Sequence, residues 1–248
     1  MIRWEIIDIF KSKVSLTWIK KGQESWLKDV FSGDFIKAPI GPYGRRIDEI
    51  VQQTNEKGPQ PLWEGYGNNN AGGTSRTANK VSTNPPIGNI FTYLVQEKKP
   101  EIIVEFGTAF GVSGMYFLAG LRANKKGKLL TFDPNKVWTK LAKDNLSQIS
   151  DRFELTIGTF EANIDHVLPK SKHIDMAFID GIHTKEFVIP QLDIIVSKAK
   201  KGTIIILDDI DFSVDMQQCW EQVSRDNRFI SSLALGSRVG VLEVKNDQ

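Results

Sequence analysis

The sequence predicts an α/β fold: five parallel strands, helices on both faces, and a closing antiparallel hairpin. Three observations carry this. From about Glu101 onward, short apolar, β-rich runs alternate with segments of helical length. Several runs, such as Ile204-Ile205-Ile206-Leu207, are apolar throughout, as strands buried on both faces are. The last two runs are separated only by Gly236-Ser237-Arg238, too little chain for a parallel crossover.

The elements follow in order. Strands are expected at Ile102–Glu105, Leu129–Phe132, Phe153–Ile157, Ile174–Ile179 and Thr203–Leu207, with the hairpin at Phe229–Leu235 and Val239–Val244. Helices are expected at Gly111–Arg122, Lys136–Ile149, Glu161–Leu168, Lys185–Ala199 and Ser213–Asp226. Ile87–Glu97 reads as a further helix, with Ile87, Ile90, Phe91, Leu94 and Val95 on one face. Ile47–Glu56 has helical composition, and Ile2–Ile19 has room for one or two short elements. Between Lys57 and Pro86, the density of Gly, Pro and Asn argues against regular structure. The expected division is an N-terminal extension over 1–85, whose loop is either a lid or a tether, and an α/β domain over 86–248.

Composition narrows the function classes. The 248 residues carry 32 Lys+Arg against 30 Asp+Glu, too even a balance for sequence-independent phosphate binding. One cysteine removes a disulfide framework and a Cys-rich zinc site. No stretch approaches the roughly 18 uncharged apolar residues of a membrane span. Glu5 and Asp8 fall where a signal peptide needs an apolar run. A cytoplasmic protein without nucleic-acid or membrane partners is expected, and a homo-oligomer stays open.

The most informative stretch is Glu105-Phe106-Gly107-Thr108-Ala109-Phe110-Gly111-Val112-Ser113-Gly114. A buried strand ends, a glycine-rich turn follows and a helix opens. Ligands of open α/β sheets sit beyond such strand ends. The spacing G-x-x-x-G-x-x-G departs from the dinucleotide fingerprint G-x-G-x-x-G. Glu105, just before the loop, is a poor neighbour for a pyrophosphate and suits a cationic ligand. The next strand ends at Asp133, where a carboxylate can accept both ribose hydroxyls or cap the helix from Lys136. The third strand ends in the turn Gly158-Thr159.

The fourth strand ends Asp180-Gly181-Ile182-His183 and the fifth Asp208-Asp209. Parallel neighbours deliver these three carboxylates to one edge, where a cation or protons must neutralise them. An all-oxygen set suits Mg²⁺, Mn²⁺ or Ca²⁺. His183 has the side chain best suited to take a hydroxyl proton near neutrality. The alternatives are helix caps for the aspartates and a surface turn for His183. Cys219 reads as core, His166 and His173 as structural or surface residues, and the lysine clusters at 125–128 and 198–201 as solvated helix ends. Trp63 and Tyr66 either close over a ligand or anchor their loop.

The run E-F-G-T-A-F-G-V-S resembles motif I of the class I S-adenosylmethionine-dependent methyltransferases, which have a Rossmann-like sheet of this plan. D-G-x-H followed by D-D resembles their metal-dependent small-molecule O-methyltransferases, of catechol type and of natural-product sugar type. His183 and Asp209 stand where the catechol branch has Lys and Asn, which favours the sugar-type branch. The resemblance implies that Glu105, Gly107, Thr108, Gly111, Ser113, Asp133, Gly158 and Thr159 bind S-adenosylmethionine. It implies that Asp180, Asp208 and Asp209 hold a divalent metal, in the first instance Mg²⁺, and that His183 is the base, with Asp180 catalytic beside it. The expected activity is metal-assisted methyl transfer to a hydroxyl of a small-molecule acceptor. Its rivals are a metal-independent methyltransferase with another acceptor atom and a nonenzymatic nucleoside-binding or scaffold protein of the same fold.

Overall fold

The structure, a computed structural model, describes residues 13–41, 43–63 and 74–245. In chain order the elements are β1 (Val14–Lys20), α1 (Trp26–Val30), β2 (Phe35–Ile36), α2 (Gly44–Asn55), β3 (Gln60–Pro61) and β4 (Ser75–Arg76). A 3₁₀ turn (Ala78–Lys80) precedes α3 (Pro85–Lys98), β5 (Ile102–Phe106), α4 (Val112–Asn124), β6 (Lys128–Asp133) and α5 (Lys136–Ser147). Then come β7 (Phe153–Ile157), α6 (Phe160–Val167), β8 (Ile174–Ile179), α7 (Lys185–Ser197) and β9 (Ala199–Leu207). The chain closes with α8 (Val214–Ser224), β10 (Phe229–Leu235) and β11 (Val239–Val244). These elements form two compact units: Met1–Pro39 with His173–Ile179 and His183–Gln248, and Ile40–Lys172 with Asp180–Ile182.

In the second unit β5, β6 and β7 run parallel, with Ile103 opposite Leu129 and Leu129 opposite Phe153. Helix α4 is buried at every position from Val112 to Leu121, which explains why its sequence is apolar all round. Helix α3 lies against it through small residues. A Cβ on Gly88 would meet the Tyr116 ring, and one on Gly120 would meet Val95. Phe91 and Phe117 stack between the two helices at 5.1 Å. Each such fully buried side chain contributes about 1.5–3 kcal/mol.

In the first unit the strand order is β2-β1-β10-β11-β9-β8. Strands β8 and β9 are parallel and the rest antiparallel. The five expected parallel strands and the hairpin are thus all present, and the hairpin does not end the sheet. Strand β1, from the segment read as part of an extension, pairs with β10, Leu16 opposite Leu235. Glu243 of β11 is buried and accepts from Ser25 Oγ at 2.6 Å and from the N–H groups of Trp26 and Leu27. It thereby satisfies the amino end of α1. Cys219 is buried in α8, as expected, and burial pushes its thiol up to about 11.

Some boundaries differ from the sequence reading. The stretch Lys57–Pro86 is not without regular structure: β3 and β4 pair antiparallel, and the 3₁₀ turn follows. Helix α3 starts at Pro85, with both prolines in its first turn and Asn84 capping Ile87 N–H at 3.0 Å. Strand β9 starts at Ala199, not Thr203, and its pairing with β8 is interrupted between Ile174 and Met176. Tyr66, the Asn68-Asn69-Asn70 run, Glu5 and Asp8 lie outside the described residues.

Candidate functional site

The glycine loop is built on backbone conformations that few residues adopt. Gly107, Ala109 and Gly111 have φ of 84°, 45° and 81°. The N–H groups of Gly107 and Thr108 both reach the Phe132 carbonyl, at 3.0 and 3.3 Å. A Cβ on Gly107 would lie 1.8 Å from the carbonyl oxygen of Asp180, whose own N–H donates to Phe106. A Cβ on Gly111 would press on Leu146, and one on Gly114 on Leu146 and the Glu105 carboxylate. The glycines therefore serve close packing of loop on backbone and helix, rather than close approach of a ligand alone. Phe110 is anchored by stacking on Trp138 at 4.8 Å, and Asn145 Nδ2 donates to its carbonyl.

Beneath the loop lies a carboxylate with no exposed surface. Glu105 accepts from Ser113 Oγ at 2.6 Å and from Thr131 Oγ at 2.7 Å, and Thr131 is bonded in turn to Thr108. Burial pushes its carboxyl up to about 7, against the two hydroxyls that lower it, and Asp133 adds a further upward push. Of the residues expected to border a cofactor, Glu105, Thr108 and Ser113 turn inward and form this network.

Asp133 closes β6 and is 6 % exposed. Its Oδ2 accepts the Ala109 N–H and its Oδ1 the Asn135 N–H, both at 2.8 Å. Burial raises its carboxyl to about 6, and the two backbone donors lower it. The helix cap considered for Asp133 belongs to Asn135, whose Oδ1 accepts from Val137 and Trp138. Asn135 Nδ2 also donates to Pro61 and so ties β3 to this corner, a role no sequence pattern announced. At the neighbouring turn, Gly158 has φ 147° and donates to the Asp133 carbonyl, and Thr159 is exposed.

A cavity of about 320 Å³ opens at Val112, the first residue of α4, and is lined by Asp48, Ser82, Thr83, Asn84 and Tyr116. The sequence reading left Ser82, Thr83 and Asn84 in an unassigned loop. A larger hollow of about 470 Å³, beside Arg122, Lys125 and Arg152, lies at the carboxyl end of α4, away from the loop.

The first unit holds a second cluster. Asp208 is 4 % exposed, and both of its oxygens are taken by Arg238: Nε to Oδ1 at 2.9 Å and Nη2 to Oδ2 at 2.7 Å. Arg238 Nε also lies 2.8 Å from Oδ1 of Asp209, and His183 Nε2 lies 3.3 Å from Oδ2 of Asp209. Asp209 has φ 53°, a strained value for a non-glycine residue. Burial and Asp208 raise its carboxyl, while His183 and Arg238 lower it; burial lowers His183. The ring of Phe212, 66 % exposed, lies 5.2 Å from that of His183.

Arg238 is the residue the sequence reading missed. Its signal was the antiparallel register: Gly240 faces Leu207, and continuing that count sets Arg238 level with Asp209. Among the described residues, no group of three or more His, Cys, Asp or Glu is placed to hold a metal ion. The donor chemistry of Asp208 and Asp209 agrees: the oxygens a divalent ion would take already receive a guanidinium, which would repel that ion. A divalent metal does not fit this pair as it stands.

Known proteins share this fold. Residues 104–210 match the family model of a methyltransferase domain. The O-methyltransferase of Bacillus cereus, solved with S-adenosylhomocysteine, is 18 % identical with a TM-score of 0.59, covering 80 % of this chain and 90 % of its own. The O-methyltransferase TomG of Streptomyces achromogenes, involved in tomaymycin synthesis and solved with S-adenosylmethionine, is 15 % identical with a TM-score of 0.57, covering 67 % and 82 %. A methyltransferase from Geobacter sulfurreducens is 15 % identical with a TM-score of 0.57, covering 88 % and 94 %. The fold is that of the class I methyltransferases. Within that fold, the stretch 104–210 is similar to a methyltransferase domain, and two of these neighbours were solved with S-adenosylmethionine or S-adenosylhomocysteine bound. Among the described residues no helix is long and apolar enough to cross a membrane.

Proposed function

We propose that the chain transfers a methyl group from S-adenosylmethionine to a hydroxyl of a small, natural-product-like acceptor. The observation that carries this is the corner made by the glycine loop and Asp133. There a buried carboxylate, pushed up to about 6, has one backbone donor on each oxygen and keeps lone pairs for two more. Those lone pairs suit the paired hydroxyls of a ribose. Gly158 and Thr159 would border the base, and the N–H groups that open α4 would take a carboxylate in the cavity at Val112. Glu105 supports the loop from below and supplies negative charge beneath a cationic ligand. When bound, S-adenosylmethionine supplies an electrophilic methyl group.

His183 is the base in this reading. The Asp209 carboxylate beside Nε2 favours a proton on that nitrogen and leaves the basic lone pair to Nδ1. The exposed Phe212 ring beside it offers an apolar face for the acceptor's carbon skeleton. No step passes through a divalent ion. The engagement of Asp208 and Asp209 by Arg238 favours transfer to the hydroxyl without Mg²⁺ over the Mg²⁺-assisted route.

Calorimetry with S-adenosylhomocysteine tests the reading. Saturable one-to-one binding, weakened in Asp133→Asn, is expected. Binding of NAD in its place would overturn it. Acceptors are then sought by methyl transfer across a panel of phenols, sugars and polyketides. Binding with no transfer to any member would favour the nonenzymatic alternative.

A further inference from the structure

We infer that Arg238 is the resident cation of the Asp208–Asp209 pair, fixing Asp209 against His183 in the place where related sites would use a divalent ion. The inference deepens the proposed reaction and rests on it only for the role of His183.

Three independent contacts make Arg238 part of a built arrangement rather than a passing surface ion pair. Its guanidinium meets Asp208 side-on with two bonds, at 2.9 and 2.7 Å, the fork geometry that gives arginine–carboxylate pairs their strength and direction. The same Nε lies 2.8 Å from Asp209, so one planar group holds two consecutive carboxylates. The backbone holds Arg238 in turn, because the Ile210 N–H donates to its carbonyl at 2.9 Å. Ser237, next to it, is bonded to Asp211. The hairpin loop before β11 is thereby clipped to the segment that follows β9 at Asp208, Asp209, Ile210 and Asp211.

Charge makes the same case. Asp208 is 4 % exposed, and a carboxylate so buried is costly without a partner. The sequence requires a cation or protons for it, and the guanidinium meets that requirement from within the chain. Asp209 is held at φ 53°, which a free turn would relax. Between Arg238 on one oxygen and His183 Nε2 on the other, its carboxylate is fixed at both ends. Arg238 is therefore a positioning residue that acts on His183 through Asp209.

The experiment is a Mn²⁺ titration of the full chain, read by electron paramagnetic resonance. Circular dichroism and S-adenosylhomocysteine calorimetry report folding and cofactor binding separately. Wild type should show no saturable Mn²⁺ site. Arg238→Met, which unmasks the carboxylates, should gain one site per chain, and adding Asp208→Asn should remove it. Arg238→Lys, which keeps the charge, should refuse Mn²⁺ as wild type does. The inference is overturned by a saturable site in wild type that Asp208→Asn abolishes. It is overturned equally by a folded Arg238→Met that gains none, or by Mn²⁺ binding to Arg238→Lys. If Arg238→Met does not fold, the wild-type and Arg238→Lys titrations decide. Loss of S-adenosylhomocysteine binding with the Mn²⁺ pattern intact would count against the proposed function and leave this inference standing.

Discussion

Two pairs of carboxylates at the ends of parallel strands, Glu105 with Asp133 and Asp208 with Asp209, are neutralised differently. Glu105 and Asp133 in the second unit receive hydroxyls and backbone N–H groups, and burial drives both carboxyls upward. Asp208 and Asp209 in the first unit receive a guanidinium. Neutral donors do not offset burial, so these carboxyls hold their protons more tightly than free ones, and in the proposed reading a cationic ligand would favour their ionised form. A guanidinium already compensates the charge of the second pair, which leaves little for a second cation to gain. In the proposed reading the first pair faces the cationic ligand, while the second is matched from within the chain.

The largest break in this contrast is Gly107→Ala. With φ 84° and a Cβ 1.8 Å from the Asp180 carbonyl, the loop cannot keep its path. A loss of about 4 kcal/mol in urea unfolding is expected, together with S-adenosylhomocysteine binding. Unchanged melting and binding would show that the loop tolerates a side chain there.

Glu105→Gln is next. The Glu105 carboxyl lies at about 7 when folded against 4.5 ordinarily, so the folded state holds the proton more tightly. Its contribution is fully present below pH 4.5 and is lost as pH rises through about 7. At about 1.4 kcal/mol per pH unit, this is a span on the order of 3 kcal/mol. Between pH 4.5 and 7 the wild type should therefore gain stability on acidification relative to Glu105→Gln. Parallel stability curves for the two proteins would refute the buried-proton account.

Arg238→Met should cost about 2 kcal/mol, less than a fully buried pair because the arginine side chain is 40 % exposed. A guanidinium positions charge but does not acidify a hydroxyl as a bound metal does. In the acceptor panel a phenol, ionising near about 10, should be methylated in preference to a sugar hydroxyl. A sugar turned over faster than any phenol would contradict a metal-free site. The smallest effect is Asp133→Asn, which should weaken S-adenosylhomocysteine binding roughly tenfold by removing a charged acceptor. Equal affinities would move the ribose elsewhere.

Much of this was legible in the sequence, for identifiable reasons. The parallel strands announced themselves because burial on both faces leaves continuous apolar runs. Strand β9 hid its first residues because Lys200 and Lys201 are exposed, and Lys200 pairs with Asp175. Strands β3 and β4, two residues each, are too short to show any period. In the candidate site, the glycine loop and Asp133 were visible as motifs. The inward turn of Thr108 and Ser113 was not, since spacing does not say which way a hydroxyl points. Arg238 stayed hidden because its partners depend on strand order: β11 lies beside β9, and local sequence does not encode that neighbour.

The pairing of β1 with β10 and the capping of α1 by Glu243 join segments 218 residues apart, as Ser25 and Glu243 are. During synthesis β1 emerges long before its partner exists. The second unit, by contrast, is nearly all contiguous chain and can be complete while the rest is still being made. At roughly 5–20 residues per second, the amino-terminal strand waits ten seconds or more with an open edge. The exposed Lys21, just past the end of that strand, puts a charge beside the open edge and disfavours mispairing in the interval.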